Sequence, residues 1–114
     1  MSHHLCDLPD IALNASTVNA TTNLILGFED ADVVTIFAPL QLTGTCTVMI
    51  APEASTATAS VTLRALTSGG SPVTIAEQRS VTITDVAFRA LGIMTSGSEA
   101  TSRTFKVVKQ ILVR

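Results

Sequence analysis

The sequence predicts an all-β protein, an antiparallel β-sandwich or jelly-roll-like barrel of seven to eight short strands. Three observations carry that prediction. Apolar residues recur with a period of two, the spacing that gives a strand one dry and one wet face. Turn-forming residues interrupt the chain at intervals of about one strand plus one turn. Its 114 residues suit a single domain that can bury a core without disulfide staples.

Taken in order, the first ten to fifteen residues, with Pro9, Asn14 and Ser16 among them, carry little pattern. Residues 1–15 are therefore set apart as a flexible N-terminal arm and 16–114 as the sandwich. The arm reads either as a frayed end or as a strand added to a neighbouring subunit's sheet. Val18, Leu24, Leu26 and Phe28 then share one parity. Residues 33–38 are apolar on both faces, which predicts a central strand. Cys46, Val48 and Ile50 alternate with Thr45, Thr47 and Met49, and the clearest alternation follows: Ala59, Val61, Leu63 and Ala65 against Ser60, Thr62 and Arg64. Val81 and Ile83 sit between Ser80, Thr82 and Thr84 in the same way.

Residues 85–94 admit two readings, a short helix capped by Asp85 or a strand from about Phe88 with Gly92 at a bulge or close approach, and the strand is preferred. The last run, 104–113, places Phe105, Val107, Ile111 and Val113 on one parity, with Lys109 interrupting at an exposed or bulged middle. Gly27, Pro39, Gly44, residues 52–56, 68–72 and 96–98 supply the turns between these runs.

Only 14% of residues are charged, against about 25% in an average soluble domain. The mean hydropathy of +0.47 is correspondingly high. Thr and Ser supply much of the polarity. A surface of hydroxyls and apolar groups is easily desolvated, which favours a subunit covered by partners. Charge is also sorted along the chain: residues 1–63 hold six acids and no Lys or Arg, whereas 64–114 hold seven bases and three acids. That separation suits a subunit that meets copies of itself or patterned neighbours, with the candidate interface residues being Arg64, Arg79, Arg89, Arg103, Lys106, Lys109, Asp30 and Asp32. Whether it becomes two opposite faces depends on how the strands interleave, since a Greek-key sandwich mixes the halves. No apolar window reaches the roughly 18 residues of a membrane span, and the first ten residues lack a signal-peptide pattern.

The inventory for chemistry is thin, and no catalytic, cofactor or metal residues are assigned. His3 and His4 are adjacent, so on a strand they face opposite ways and form neither a triad nor a metal face. Cys46 falls on an apolar parity where an inert thiol is expected, and Cys6 and Cys46 are read as free thiols. The acidic stretch Glu29-Asp30-Ala31-Asp32 lacks the glycine and later glutamate of an EF-hand and reads as a solvated turn. Asn14-Ala-Ser16 and Asn19-Ala-Thr21 match the glycosylation pattern but carry little weight without a secretory leader. The chain has no Trp or Tyr, and its four Phe residues (Phe28, Phe37, Phe88 and Phe105) all lie in strand patterns that predict core. Sugar-stacking and base-stacking functions are thereby disfavoured, and the dispersed bases predict no specific nucleic-acid binding.

From Ser60 onward the chain resembles small β-sandwich structural proteins of tailed bacteriophage virions. The resemblance rests on Val61-Thr-Leu-Arg-Ala-Leu-Thr-Ser-Gly-Gly70, Pro72-Val-Thr-Ile-Ala76, Ser80-Val-Thr-Ile83, Phe88-Arg-Ala-Leu-Gly-Ile93, Ser96-Gly-Ser-Glu-Ala100 and Arg103-Thr-Phe-Lys-Val-Val108. It covers about half of the chain. Where the pattern has a Gly-Lys pair before the strand at Val81, this chain has Gln78-Arg79. The resemblance implies a non-enzymatic virion protein made in the host cytoplasm. Capsid decoration or cement is the first reading, with the major capsid protein or another virion protein as partner and a homo-oligomer, such as a trimer, as the assembled form. A tail, adaptor or neck component is the alternative, and a host-surface or carbohydrate-binding module a more distant one.

Overall fold

A computed structural model describes residues 2–15 and 20–113. Its strands are β1 (Ser2–Asp7), β2 (Ile11–Leu13), β3 (Val33–Phe37), β4 (Cys46–Ala51), β5 (Arg64–Ala65), β6 (Thr67–Ser68), β7 (Ser71–Pro72), β8 (Thr74–Ile75), β9 (Ser80–Ile83), β10 (Ala90–Met94) and β11 (Arg103–Val113). Among the described residues the helical element is a single 3-10 turn, Thr58–Ser60. One sheet runs β1-β11-β3-β9, all antiparallel, with β2 continuing β1 along the same edge of β11. The other runs β10-β4, and both β5 and β8 pair with the far edge of β4. Residues 20–25 extend this second sheet through the bridges Thr21 to Met94 and Ile25 to Leu91.

Counted as runs along the sheets among the described residues, β1 with β2, residues 20–25, β3, β4, β5 with β8, β9, β10 and β11 make eight. Their order is first-eighth-third-sixth in one sheet and second-seventh-fourth-fifth in the other, the strand order of a jelly roll. All successive runs except the fourth and fifth, which pair within the second sheet, cross between the sheets, so neither sheet can bury its apolar face without the other. The sheets do not close into a barrel: among the described residues no ladder joins β9 to β5 or β8.

One core fills the space between the sheets. Val34, Ile36, Phe105 and Val107 face it from the first sheet, and Cys46, Val48, Leu91 and Ile93 from the second, with Phe28 and Phe88 in an edge-to-face pair at a centroid distance of 5.0 Å. Each large side chain buried there contributes about 1.5–3 kcal/mol relative to exposure. A smaller cluster lies on the outer face of the second sheet, where Leu24, Leu26, Val61 and Leu63 cover Ala51 and Ala90. Residues 58–63, together with the side chains of Leu24 and Leu26, thus act as a partial third layer.

That third layer explains the main departures from the alternation. Residues 59–65 carry the clearest period of two, yet only Arg64 and Ala65 form strand. Val61 and Leu63 bury one face on Ala51 and Ala90, while the Thr62 N–H donates to Glu53 Oε1 at 2.7 Å instead of to a strand partner. Leu24 and Phe28 do not share a face either. Leu24 turns to the outer cluster, whereas Ile25 and Phe28 enter the main core. Met1, Ser16, Val18, Asn19 and Arg114 lie outside the described residues.

β10 is a strand, Ala90–Met94, and Gly92 is its point of close approach. A Cβ there would stand 2.6 Å from Leu24 Cδ2 and 3.2 Å from Thr21 Cγ2. The bulge itself belongs to the partner segment, where Thr22 Oγ1 accepts the Ile93 N–H at 3.0 Å and the Leu24 N–H turns to the Thr56 carbonyl. Gly92→Val is expected to lower stability by about 2–3 kcal/mol through overpacking. Urea unfolding checks this, and a loss below about 0.5 kcal/mol would show that Leu24 has room to move.

β11 is continuous, with no bulge at Lys109; its register on β3 is unbroken from Lys106 to Gln110. The extra residue sits instead in the edge partner, between β1 and β2 around Pro9, which has no N–H to donate. Residues 2–7 and 11–13, part of the stretch that the sequence sets apart, are laid along β11 of their own chain. Between β5 and β8 the chain leaves the edge of β4 as the β6–β7 hairpin. Its Gly69-Gly70 turn has φ of 61° and 85°, the left-handed pair required by a two-residue hairpin. Gln78 is left-handed as well, with φ of 59°.

Candidate interaction surface

The first sheet is covered on one face and open on the other. Val34 and Ile36 of β3 point into the core, so Val33, Thr35 and Phe37 point out. By register the outward row continues through Lys106, Val108 and Gln110 of β11 and through His3, Leu5 and Asp7 of β1. Leu5 is 74% exposed and Phe37 46%. Phe37 is therefore not core, in contrast to Phe28, Phe88 and Phe105, because its parity on β3 is the wet one. Leu5, Val33, Thr35, Phe37, Val108 and Gln110 line a depression of about 140 Å³. Its polar neighbours are mostly uncharged: Thr35 and Thr82 share a hydroxyl hydrogen bond of 3.1 Å, and Gln110 bonds to the His3 ring. Leu40, 76% exposed, stands in the loop beyond β3.

The charged residues singled out from the sequence occupy several separate places. Lys109 crosses the end of the sandwich, donating to the Gly27 carbonyl at 2.9 Å and to Asp30 Oδ1 at 2.6 Å. Asp32 Oδ2 accepts the Leu112 N–H at 2.5 Å, so Asp30 and Asp32 both fasten the acidic turn to β11. Arg103 pairs with Glu99 at 3.1 Å, and Lys106 stands 3.8 Å from Asp10. Arg89 donates to the Pro52 carbonyl, while Arg64 and Arg79 are exposed at the outer edges of opposite sheets. The linear separation of charge is thus folded into contacts between the acidic first half and the basic second half, and not into two opposed faces.

Those contacts set the acid response. The Lys109 hydrogen bond holds the Asp30 carboxyl below its ordinary value, and the Thr62 N–H and hydroxyl do the same for Glu53. A carboxylate depressed in the folded state stabilises at pH above its unfolded value, and that contribution disappears as pH falls through the folded value. The urea midpoint is therefore expected to hold level down to about pH 5 and to decline below about pH 4. The decline should be shallower in Glu53→Gln, and equal slopes would remove Glu53 from the account.

Cys6 and Cys46 are both free thiols, the first half-buried on β1 and the second buried on β4. Burial, followed by the charge of Glu99, pushes the Cys46 thiol up and makes it less nucleophilic. Among the described residues no group of three or more His, Cys, Asp or Glu is placed to hold a metal ion. No helix of the described residues is long and apolar enough to cross a membrane. Two features escaped the sequence reading. Glu99 is a buried carboxylate with no charge pattern to announce it, and Leu5 lies in a stretch whose parity becomes legible only once it is paired with β11.

No family model matches the chain, and neither does any curated protein. A solved structure described as "Bacillus endospore appendages form a novel family of disulfide-linked pili" superimposes with a TM-score of 0.48 at 10% sequence identity, covering 100% of this chain and 93% of that one.

Proposed function

We propose that this chain is a non-enzymatic virion structural protein, a capsid decoration or cement subunit that sits over joints between major capsid proteins. The observation that carries the reading is the open outer face of the first sheet, where Leu5 and Phe37 stand exposed among hydroxyls and half-buried valines. Such a surface costs little to desolvate and buries apolar area when covered. The phage-like pattern from Ser60 onward supports the same class. Its partners are the major capsid protein or another virion protein together with further copies of itself, in a trimer or other oligomer, with residues 1–15 as the segment that reaches a neighbour's sheet.

A tail, adaptor or neck ring is the second reading, favoured by the two edges of the first sheet, β1 and β9, that have no further strand partner among the described residues. A carbohydrate-binding module would place specificity in loops 51–58 and 67–73, and neither contains an aromatic residue. The test is copy number and position in purified particles, by quantitative mass spectrometry and electron cryomicroscopy. Hundreds of copies over capsid joints is the expected result. A few copies at the neck would select the second reading, and a chain absent from particles and monomeric at high concentration would overturn both.

A further inference from the structure

The path β1-β11-β3-β9 across the first sheet counts four strands, with every neighbouring pair antiparallel and β2 lying in line with β1. Its two edge strands therefore run in opposite directions. Consequently β9 of one copy and β1 of an identically oriented copy meet antiparallel, with neither turned over.

The hydrogen-bonding groups are in phase for that meeting. The Leu8 N–H donates to the Val107 carbonyl, which fixes the alternation along β1 and leaves the backbone groups of His3, Leu5 and Asp7 pointing away from β11. The Ala38 N–H donates to the Arg79 carbonyl, which by the same alternation leaves those of Ser80 and Thr82 pointing away from β3. His3, Leu5 and Asp7 are also outward-facing, as Ser80 and Thr82 are, so a ladder between the edges keeps both faces of the sheet continuous. Ser2–Asp7 and Ser80–Ile83 contain no Lys, Pro or bulge, and Pro9 comes only afterwards.

The surroundings of β9 leave room for a strand. Between its free edge and the side chains of Leu66 and Val73 lies a groove of about 330 Å³. Charge complementarity names the occupant. Asp7 and Asp10 mark one end of β1 and His3 and His4 the other, while Arg79 precedes β9 and Asp85 follows it, all exposed. With Leu5 set opposite Thr82, the two acids flank Arg79 and the imidazoles approach Asp85. Cys6 then falls opposite Val81, above the groove.

We propose that copies of this chain associate head to tail by pairing β1 of one with β9 of the next, extending the first sheet from subunit to subunit. The proposal rests on the structural-subunit reading and specifies its self-association. Because the contact is heterologous, it closes into a ring or grows as a filament according to the rotation between copies.

The test uses the full chain with Cys46→Ala and Val81→Cys. Within one chain Cys6 and position 81 are three strand spacings apart, about 14 Å, too far for a disulfide. Mild oxidation should give a ladder of covalent multimers on a non-reducing gel. Thr82→Pro, which removes an N–H directed away from β3, and Thr82→Lys, which keeps the backbone intact, should each abolish the multimer seen by light scattering while leaving the circular dichroism spectrum unchanged. Multimers that form without the ladder and tolerate both substitutions would overturn the edge pairing and leave the structural reading standing. A chain that remains monomeric at millimolar concentration would remove the pairing, and its absence from purified particles would separately remove the reading beneath it.

Discussion

Phe105→Ala is expected to lower the unfolding free energy by about 3–5 kcal/mol and the melting temperature by roughly 10–20 °C. Phe105 lies on β11, the strand that receives β1 and β2 on one edge and β3 on the other, and its side chain is fully buried. It stands opposite Ile11, so truncation opens a cavity beside the short strand that holds the start of the chain to the sheet. Relaxation there is limited because Ile11, Leu13 and Val107 are buried in the same cluster and cannot all shift toward the gap. Phe37→Ala is the matching control. It removes an equally large ring from the outer face of the same sheet, where about half of it already meets solvent, and should cost under about 1 kcal/mol. Thermal and urea unfolding of both variants decides the matter. Equal losses would mean that the outer face is covered in the isolated chain and that the inside and outside of this sheet have been misassigned.

The contrast between Phe105 and Phe37 also shows what was legible in the sequence. Period-two spacing identifies which residues share a face, and for β4, β9 and β11 it placed Cys46, Val48, Ile83, Phe105 and Val107 correctly in the core. It does not say whether a dry face has a ladder beside it. Residues 59–65 alternate as well as any strand here, yet their dry face rests on the outside of the second sheet and Glu53 replaces the strand partner at Thr62. Nor does spacing say whether both faces of a central strand are covered. β3 is central and apolar except at Thr35, and only one of its faces is dry. Gly92 could be singled out because a glycine among β-formers signals a close neighbour, but Leu24 as that neighbour required the fold. The charge sorting was plain in the sequence, whereas its resolution into Asp30–Lys109 and Asp10–Lys106 depends on β11 running past both acidic segments.

Glu99 had no signature at all, and its removal is expected to be among the most damaging changes in the chain. Its carboxylate is 1% exposed and makes two contacts: Oε2 accepts the Thr43 N–H at 2.7 Å, and Oε1 accepts from Arg103 Nε at 3.1 Å. The first ties the loop before β10's partner strand β4 to the second, at the start of β11. Ser96 reinforces the same junction by donating to the Thr45 carbonyl. Glu99→Ala removes the acceptor of the Thr43 N–H and leaves the Arg103 guanidinium without its anion, a loss of about 3 kcal/mol, at the lower end for a broken buried pair because Arg103 keeps one-fifth of its side chain in water and Thr43 is exposed. Arg103→Met should cost a similar amount or more, since it abandons the carboxylate in the less exposed position. The double variant is the informative one. If stranding a charge dominates, Glu99→Ala with Arg103→Met will be less destabilised than the sum of the two single changes by at least about 1 kcal/mol. Strict additivity would mean that the two residues act separately, with Glu99 serving mainly as the acceptor for Thr43. In that case Glu99→Gln, which retains an amide oxygen for the Thr43 N–H, should recover most of the lost stability.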